Sequence, residues 1–339
     1  MKHLARTGAV ALAAVGIQAL MVFAFTAPAA HSSPHKVPLA LSAPAPQRAA
    51  LEQRLNQAAP GAFAVREVAD ETAARAALTD RDAYGAIVVD AAGPHLLVAS
   101  AAGPSVAAML TEVGAHLAPT GSETAVTDVT DVVPASTNDP HGGAFTAMVL
   151  PVVMSSLIGG VLITLKLRRL RDRALGALLF AVGGGLALTL IAGHLLAFLP
   201  GSSLALTAAI GTSALAVAGF TTAAASLIGP RGFPLAGIVM MLLANPLSAA
   251  ASAPELLPAP WGAIGQDLPA GAAATLIRST AFFGGNGGTH AAVVLSLWIG
   301  AAAVMLTAAG RRARRVPATV TETVEVAREA EATAVSTAV

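Results

Sequence analysis

The sequence predicts an α-helical integral membrane protein with six transmembrane helices and a small extracytoplasmic α/β domain between the first and second helices. Hydrophobic residues make up 55% of the chain and charged residues only 12%, about half the charge of an ordinary soluble protein. Between Ala144 and Gly310 the sequence holds long apolar runs with no Asp, Glu, Lys or Arg inside them. An ionised side chain at the bilayer centre costs about 2.5–3.5 kcal/mol, so charge-free runs of about 18 residues or more are interpreted as membrane spans.

The six predicted spans differ in length but share this lack of charge. They cover residues 8–27, 145–165, 175–198, 204–228, 234–250 and 290–309. At about 1.5 Å of rise per residue, each helix can cross a hydrocarbon core of about 30 Å. The run over 234–250 is only just long enough.

Lysine and arginine residues determine the predicted orientation, because short cytoplasmic loops carry an excess of them. Basic residues precede the first span, join the second to the third and the fourth to the fifth, and follow the sixth: Lys2 and Arg6; Lys166, Arg168, Arg169, Arg171 and Arg173; Arg231; and Arg311, Arg312, Arg314 and Arg315. With six crossings, all four groups lie on one side. The sequence therefore predicts a multi-pass protein of the plasma membrane with both termini in the cytoplasm, residues 311–339 forming a cytoplasmic tail.

The first span, within residues 1–29, has two interpretations. A basic start, an apolar stretch and Ala27-Pro28-Ala29 also fit a cleavable signal peptide. The apolar stretch from Gly8 to Phe25 is long for such a peptide, so we expect a retained helix. Cleavage would leave five spans, in a domain 144–310, and would not change the side that the other loops face.

Residues 30–143 form the predicted extracytoplasmic domain, with twelve acidic and six basic side chains. Short β-branched runs alternate with helical patterns, which indicates a layered α/β unit. We expect strands over 37–41, 63–68, 84–90, 95–100 and 125–133, and helices over 47–57, 70–78 and 105–117. Asp70 is the expected N-cap of the second helix, and the strands over 84–90 and 95–100 are expected to pair.

A proline-rich outer loop over 251–289 separates the last two spans. It is too apolar for a free aqueous loop and has too many helix breakers for a further span. We expect one or two short helices that lie in the outer membrane interface or dip back into it, with Trp261 at headgroup level. The residues expected to mark this interfacial loop are Pro254, Glu255, Pro258, Trp261 and Asp267.

Motifs for chemistry are absent from the sequence. No Gly-x-x-x-x-Gly-Lys-[Ser/Thr] occurs, so the chain has no P-loop for ATP. His31 and His35 have a helical spacing, but Pro34 interrupts it and no third ligand is evident, so we expect no metal site. His194 is the one ionisable group well inside a span, which gives little support to proton-driven transport. No nucleophile–base pair or basic aromatic face occurs, so we expect no enzyme activity, no cofactor and no nucleic-acid partner.

The order of one span, an outer domain and five spans resembles the permease subunits of type-2 ABC exporters. It looks closest to the branch with a large outer domain, which includes the phage-infection-protein (Pip)-like proteins. The segment NPLSAAASAPELLPAPWGAIGQDLPAGAAATLIRS, residues 245–279, is similar to that family's loop before the last helix. The resemblance implies a separate P-loop ATPase, a homodimer or a heterodimer with a similar permease, and contact with membrane lipid. It also implies that the loop with Lys166, Arg168, Arg169, Arg171 and Arg173 docks the ATPase.

Two functions therefore remain open. The first is a permease of an ATP-driven exporter that moves a hydrophobic or lipid-like substrate outward. The alternative is a non-transporting membrane scaffold or surface receptor that acts through its extracytoplasmic domain. Charge reversal at Arg168–Arg173 should damage the permease and leave the scaffold intact.

Overall fold

The computed structural model describes residues 2–91, 93–116 and 128–314. Five of its helical stretches are long and apolar enough to span a membrane: Ala5–Pro28, Gly143–Lys166, Leu170–Leu195, Ser203–Ala244 and Thr289–Arg314. They agree with the predicted α-helical membrane protein. The predicted tail beyond Arg314 lies outside the described residues.

The helices in chain order are α1 (Lys2–Ala30), α2 (Ala45–Ala58), α3 (Glu71–Thr79), α4 (Pro104–His116), α5 (Gly143–Lys166), α6 (Leu170–Thr189), α7 (Ser203–Ile228), α8 (Gly232–Gly237), α9 (Trp261–Gln266), α10 (Pro269–Phe282) and α11 (Thr289–Arg314). The strands are β1 (Val37–Ser42), β2 (Phe63–Glu67), β3 (Gly85–Asp90), β4 (Gly93–Val98) and β5 (Val129–Asp131). π-helical turns extend α6 over Leu190–Leu195 and α8 over Ile238–Ala244. We call β1–β5 with α2–α4 the α/β unit, and α5–α11 the helical bundle.

The α/β unit is built on one five-stranded sheet in the order β2-β1-β3-β4-β5. Strand β1 pairs in parallel with β2 and with β3, while β3 and β4 pair antiparallel as the sequence predicts. The carboxylate of Asp70 accepts a hydrogen bond of 2.8 Å from the backbone N–H of Ala73, which confirms the predicted N-cap. The last strand is shorter than predicted: β5 begins at Val129, and residues 125–127 of the prediction lie outside the described range.

Both faces of the sheet are covered, because side chains alternate along each strand. Leu39 and Leu41 of β1 pack on one face with Leu55 of α2 and Leu110 of α4. On the other face, the side chains that pack together come from β1, β3, α3 and the helical bundle: Ala40, Val88, Leu78 and Phe283. The α/β unit therefore shares part of its core with the bundle.

The bundle has two distinct ends. At the end next to the α/β unit, Phe145 of α5, Leu206 of α7 and Ala281 of α10 share one apolar cluster. At the far end, Leu170 lies beside Gly310, and Nη1 of Arg173 donates to Oγ of Ser226 at 2.8 Å. The basic residues from Lys166 to Arg173, Arg231 and the arginines in the last turn of α11 therefore lie at the same end of the bundle, away from the sheet.

Small residues permit the close packing of α5, α6 and α7. A Cβ atom on Gly160 would lie 2.8 Å from the carbonyl oxygen of Ala218, and one on Gly185 would lie 2.5 Å from that of Thr207. Gly183 and Gly184 have no such neighbour. Glycine therefore serves helix contact at specific positions of these helices.

The main difference from the expected helices is at the predicted span over 234–250. Helical structure here covers only Gly232–Ala244, about 20 Å at the usual rise, which is too short for a span of about 30 Å. It ends before Asn245-Pro246 because proline lacks an N–H and restricts the residue before it. Irregular backbone, most of it buried, continues to Ala253, which enters the core of the α/β unit.

The chain then turns back into the bundle. Helix α9 packs so closely that a Cβ on Gly265 would lie 1.8 Å from the carbonyl oxygen of Leu247. Helix α10 begins deep in the bundle, since Ala270 is buried with Val217 and Met240, and it ends beside the sheet at Phe282. The prediction of one or two short helices in this loop agrees with α9 and α10. We call residues 229–288 the broken-helix segment.

Candidate functional site

A cavity of about 210 Å³ lies where the α/β unit meets the broken-helix segment. The loop after α3, the irregular backbone after Ala244, and helices α9–α11 all contribute to its wall. The larger polar side chains that line this junction cavity are Arg81, Tyr84, Glu255, Gln266, Arg278 and His290, and Ser248 and Thr275 add smaller polar groups. The cavity therefore brings together residues from Pro38 to His290, which are far apart in the chain.

Arg278 of α10 is the most deeply buried charged group of the cavity, with 6% of its surface exposed. Its Nη2 donates to the carbonyl oxygen of Ala250 at 2.9 Å, and its guanidinium lies 4.5 Å from the ring centre of Phe145. Among the residues that the structure describes, no carboxylate forms an ion pair with it. A buried charge without a counter-ion is costly, so Arg278 is a strong candidate for a functional residue.

Arg81 reaches the same cavity from the α/β unit. Its Nη1 donates to Oγ of Ser279 and, at 3.4 Å, to the carbonyl oxygen of Thr275. The guanidinium lies 5.2 Å from the ring centre of Phe283. Burial lowers the pKa of Arg81, while the nearby Tyr84 and Glu255 oppose that shift.

Tyr84 and Glu255 form a polar contact across the junction. The phenol of Tyr84 donates to Oε2 of Glu255 at 2.9 Å. Burial, and then the negative charge of Glu255, raises the pKa of Tyr84 above its ordinary value. The phenol therefore stays protonated and keeps its hydrogen bond over the physiological range.

The positive charge of the cavity exceeds its negative charge. Arg81 and Arg278 contribute two guanidiniums, and Glu255 contributes one carboxylate. The exposed His290 is paired with Asp267 at 3.0 Å. Gln266 is held in place, since its Nε2 donates to the carbonyl oxygen of Ser248 and its Oε1 accepts from Thr275 at 2.6 Å. The arrangement is suited to an anion.

The predicted docking loop is only partly free. Lys166, Arg168, Arg169 and Arg171 are exposed. Arg173 instead caps the end of α5, because its Nε donates to the carbonyl oxygen of Leu167 at 2.8 Å and its Nη2 to that of Thr164 at 2.9 Å. These bonds satisfy carbonyl groups at the helix end. Arg173 therefore has a structural role that the sequence prediction did not include.

The five residues expected to mark the interfacial loop do not form one cluster in the structure. Pro254 begins a short 3₁₀ turn with Glu255, and Trp261 is exposed at the start of α9. Pro258 accepts the N–H of Trp261 through its carbonyl group at 2.8 Å. Asp267 meets His290, and its carbonyl oxygen accepts from Nε1 of Trp298 at 3.1 Å. Of these five residues, Pro254 and Glu255 line the junction cavity, and Pro258, Trp261 and Asp267 do not.

The histidines singled out in the sequence make local contacts. His194 lies 2.9 Å from Oγ of Ser203, His31 bonds the carbonyl oxygen of Ala27, and His35 bonds that of Ser33. A different group was missed: potential ligand atoms of Glu71, Asp90 and His95 lie within 4.8 Å of one another. Asp90 and His95 flank the turn that the sequence predicts between β3 and β4. Their position at the two ends of this turn was the available sign that their side chains lie close together. Glu71 is also bonded to Arg75 at 2.7 Å.

The sequence analysis did not single out Arg278, Arg81 or Tyr84. The available signal for Arg278 was a lone charge between Leu268 and Phe283 in an otherwise uncharged stretch. Only the fold brings it to Arg81. No protein-family model matches this chain, and comparison with curated proteins and with solved structures gave no match either.

Proposed function

We propose that this chain is the membrane-spanning permease subunit of an exporter that is driven by a separate ATPase and moves a hydrophobic or lipid-like substrate outward. The observation that carries the proposal is the broken-helix segment, with the buried Arg278 at its centre. Irregular backbone at membrane depth is tolerated where protein covers it or where it lines a cavity. Interrupted helices and intramembrane charges are typical of substrate pathways.

Six crossings follow if the segment from Gly232 to Ala253 counts as one of them. It begins at the end of the bundle with Arg231 and reaches the α/β unit through Ala253, so it travels the full length of the bundle. The remaining crossings are α1, α5, α6, α7 and α11. By the excess of basic residues in cytoplasmic loops, the far end of the bundle faces the cytoplasm and the α/β unit lies outside the plasma membrane.

The ATPase belongs to another chain, because this sequence has no P-loop. Its docking surface is the exposed group Lys166, Arg168, Arg169 and Arg171. Arg173 is not part of this surface, since its guanidinium is bonded within the bundle.

A dimer, with a second copy or with a similar permease, is supported by α1. Its residues are exposed along most of the helix, and Leu12 and Phe23 have exposed fractions of 73% and 68%. Its packing within the chain is against Ile238–Ala244. A second permease chain and membrane lipid share the remaining apolar surface.

The test is co-purification of the tagged chain from the cells that make it. We expect a P-loop ATPase in the complex. Replacing Arg168, Arg169 and Arg171 together with Gln should release that ATPase. The matched control replaces Arg311, Arg312 and Arg314 with Gln, which removes the same charge at the same end of the bundle and should leave the complex intact. A wild-type complex without any ATPase would contradict the proposal.

The alternative, a scaffold or receptor that acts through the α/β unit, is favoured by a separate groove on that unit. The groove has a volume of about 450 Å³ and lies between α2 and β2, beside Glu52, Leu55 and Phe63. Under this alternative, the triple substitution at Arg168, Arg169 and Arg171 leaves function unchanged. Substitution of exposed groove residues such as Glu52 would abolish it.

A further inference from the structure

We infer that the junction cavity binds the oxyanion of a phosphate-bearing ligand, with Arg278 and Arg81 as its two cationic contacts. The role of this ligand as a transported headgroup rests on the proposed function, whereas its binding does not.

Arg278 provides the main argument. A guanidinium has five N–H donors in a planar fork, and the hydrogen bonds of Arg278 to described residues use only Nη2. The side chain is more than nine-tenths buried and lines the cavity. The N–H groups of a buried guanidinium that bond no protein atom can donate two parallel hydrogen bonds to a phosphate.

The charge balance of the cavity supports the same ligand. Glu255 is the one carboxylate among the lining residues, and it is engaged with the phenol of Tyr84. The two guanidiniums therefore leave a formal surplus of one positive charge. A bound phosphate neutralises that surplus and lowers the cost of burying Arg278.

The size and the opening of the cavity limit the ligand further. At about 210 Å³, the cavity is smaller than the pockets that hold drug-sized molecules, but it accommodates a phosphate with a short polar group. Its wall includes the exposed Gly287 and His290 at the start of α11. In the proposed orientation this opening lies at the outer membrane interface, where lipid headgroups are found.

Calorimetric titration of the purified full chain in a neutral maltoside detergent tests the inference. The probes are dihexanoyl phosphatidic acid, inorganic phosphate and dihexanoyl glycerol, which has the same acyl chains without phosphate. We expect the phosphatidic acid to bind at least tenfold more tightly than the dihexanoyl glycerol. Arg278→Gln should weaken that binding about tenfold or more.

Two further variants test phosphate binding if Arg278→Gln does not fold. Arg81→Gln should also weaken binding, and Glu255→Gln should strengthen it about fivefold, because it removes the opposing charge and keeps an acceptor for Tyr84. Arg54→Gln is the matched control: it removes one positive charge from an exposed position on α2 and should leave binding unchanged.

The probes distinguish two sources of the phosphate. If phosphatidic acid binds more tightly than inorganic phosphate, the ligand of the cavity is a lipid headgroup. If the two bind equally, the ligand is a free anion. Either result supports an anion site at Arg278 and Arg81. Phosphate binding that Arg278→Gln and Arg81→Gln leave unchanged, or no preference over dihexanoyl glycerol, would overturn it. No ATPase takes part in this assay, so a missing ATPase partner would contradict the proposed function alone.

Discussion

The α/β unit and the broken-helix segment stabilise their polar groups in different ways. In the α/β unit, the sheet pairs the backbone groups of its strands and apolar side chains fill both faces. In the broken-helix segment, side chains bond backbone carbonyls, as Arg278 does with Ala250 and Gln266 with Ser248. Buried irregular backbone requires such partners. The comparison shows why Gln266 and Arg278, which bond this backbone, lie in the second region, while Arg81 and Tyr84 reach the same cavity from the first.

The largest expected loss of stability comes from substituting a glycine that permits close backbone contact in the broken-helix segment. Gly265→Ala would force a methyl group against the carbonyl oxygen of Leu247, at 1.8 Å. We expect a loss of about 3 kcal/mol of stability, measured as a lower unfolding temperature in detergent. Gly237→Ala, where a Cβ meets no atom within 4 Å, is the control. Equal unfolding temperatures for the two variants would contradict the described packing of α9.

The next effect is on the ionisation of Tyr84, at the boundary between the two regions. The chain contains one tyrosine, so tyrosinate absorbance in the near ultraviolet reports this residue alone. We expect no ionisation of the folded protein near pH 10, the usual pKa of tyrosine. Glu255→Gln should lower the pKa of Tyr84 relative to the wild type, because it removes a negative charge that raises it.

The sign of this shift also predicts the pH dependence of stability. Because the pKa of Tyr84 is raised in the folded state, its contribution is present below about pH 10 and is lost as the pH rises beyond that value. Ionisation of the native protein at its ordinary pKa would show that the phenol is not buried against Glu255.

A smaller effect is expected at the N-cap of α3, within the α/β unit. Asp70→Ala removes the acceptor for the N–H of Ala73 and should cost about 1 kcal/mol. Asp70→Asn keeps a capping side chain and is the control. Chemical denaturation of both variants measures the difference, and a loss of equal size in Asp70→Asn would argue against the cap.

The smallest effect is expected at the exposed ion pair of Arg66 and Asp82, which are 2.8 Å apart. Exposed pairs contribute less than about 1 kcal/mol and are screened by salt. Arg66→Gln should therefore change the unfolding temperature little and should not affect phosphate binding. A loss of binding would mean that the α/β unit contributes charge to the ligand from outside the junction cavity.

The sequence predicted the α/β unit better than the broken-helix segment for a physical reason. The β-branched run of β3, the N-cap at Asp70 and the turn before β4 are local signals. The end of the helical structure at Ala244 depends on Asn245-Pro246, a local signal that the predicted span over 234–250 did not take into account. The contact of Arg81 with Ser279 joins residues far apart in the chain, so no local pattern could predict it.

The orientation of the chain is the central claim, and labelling of single cysteines tests it most directly. The chain has no cysteine, so Ala91→Cys in the β3–β4 turn and Asp172→Cys in α6 each introduce a single thiol at an exposed position. With a membrane-impermeant maleimide on intact cells, we predict labelling of Ala91→Cys, and of Asp172→Cys only after permeabilisation. Labelling of Asp172→Cys in intact cells would contradict the account.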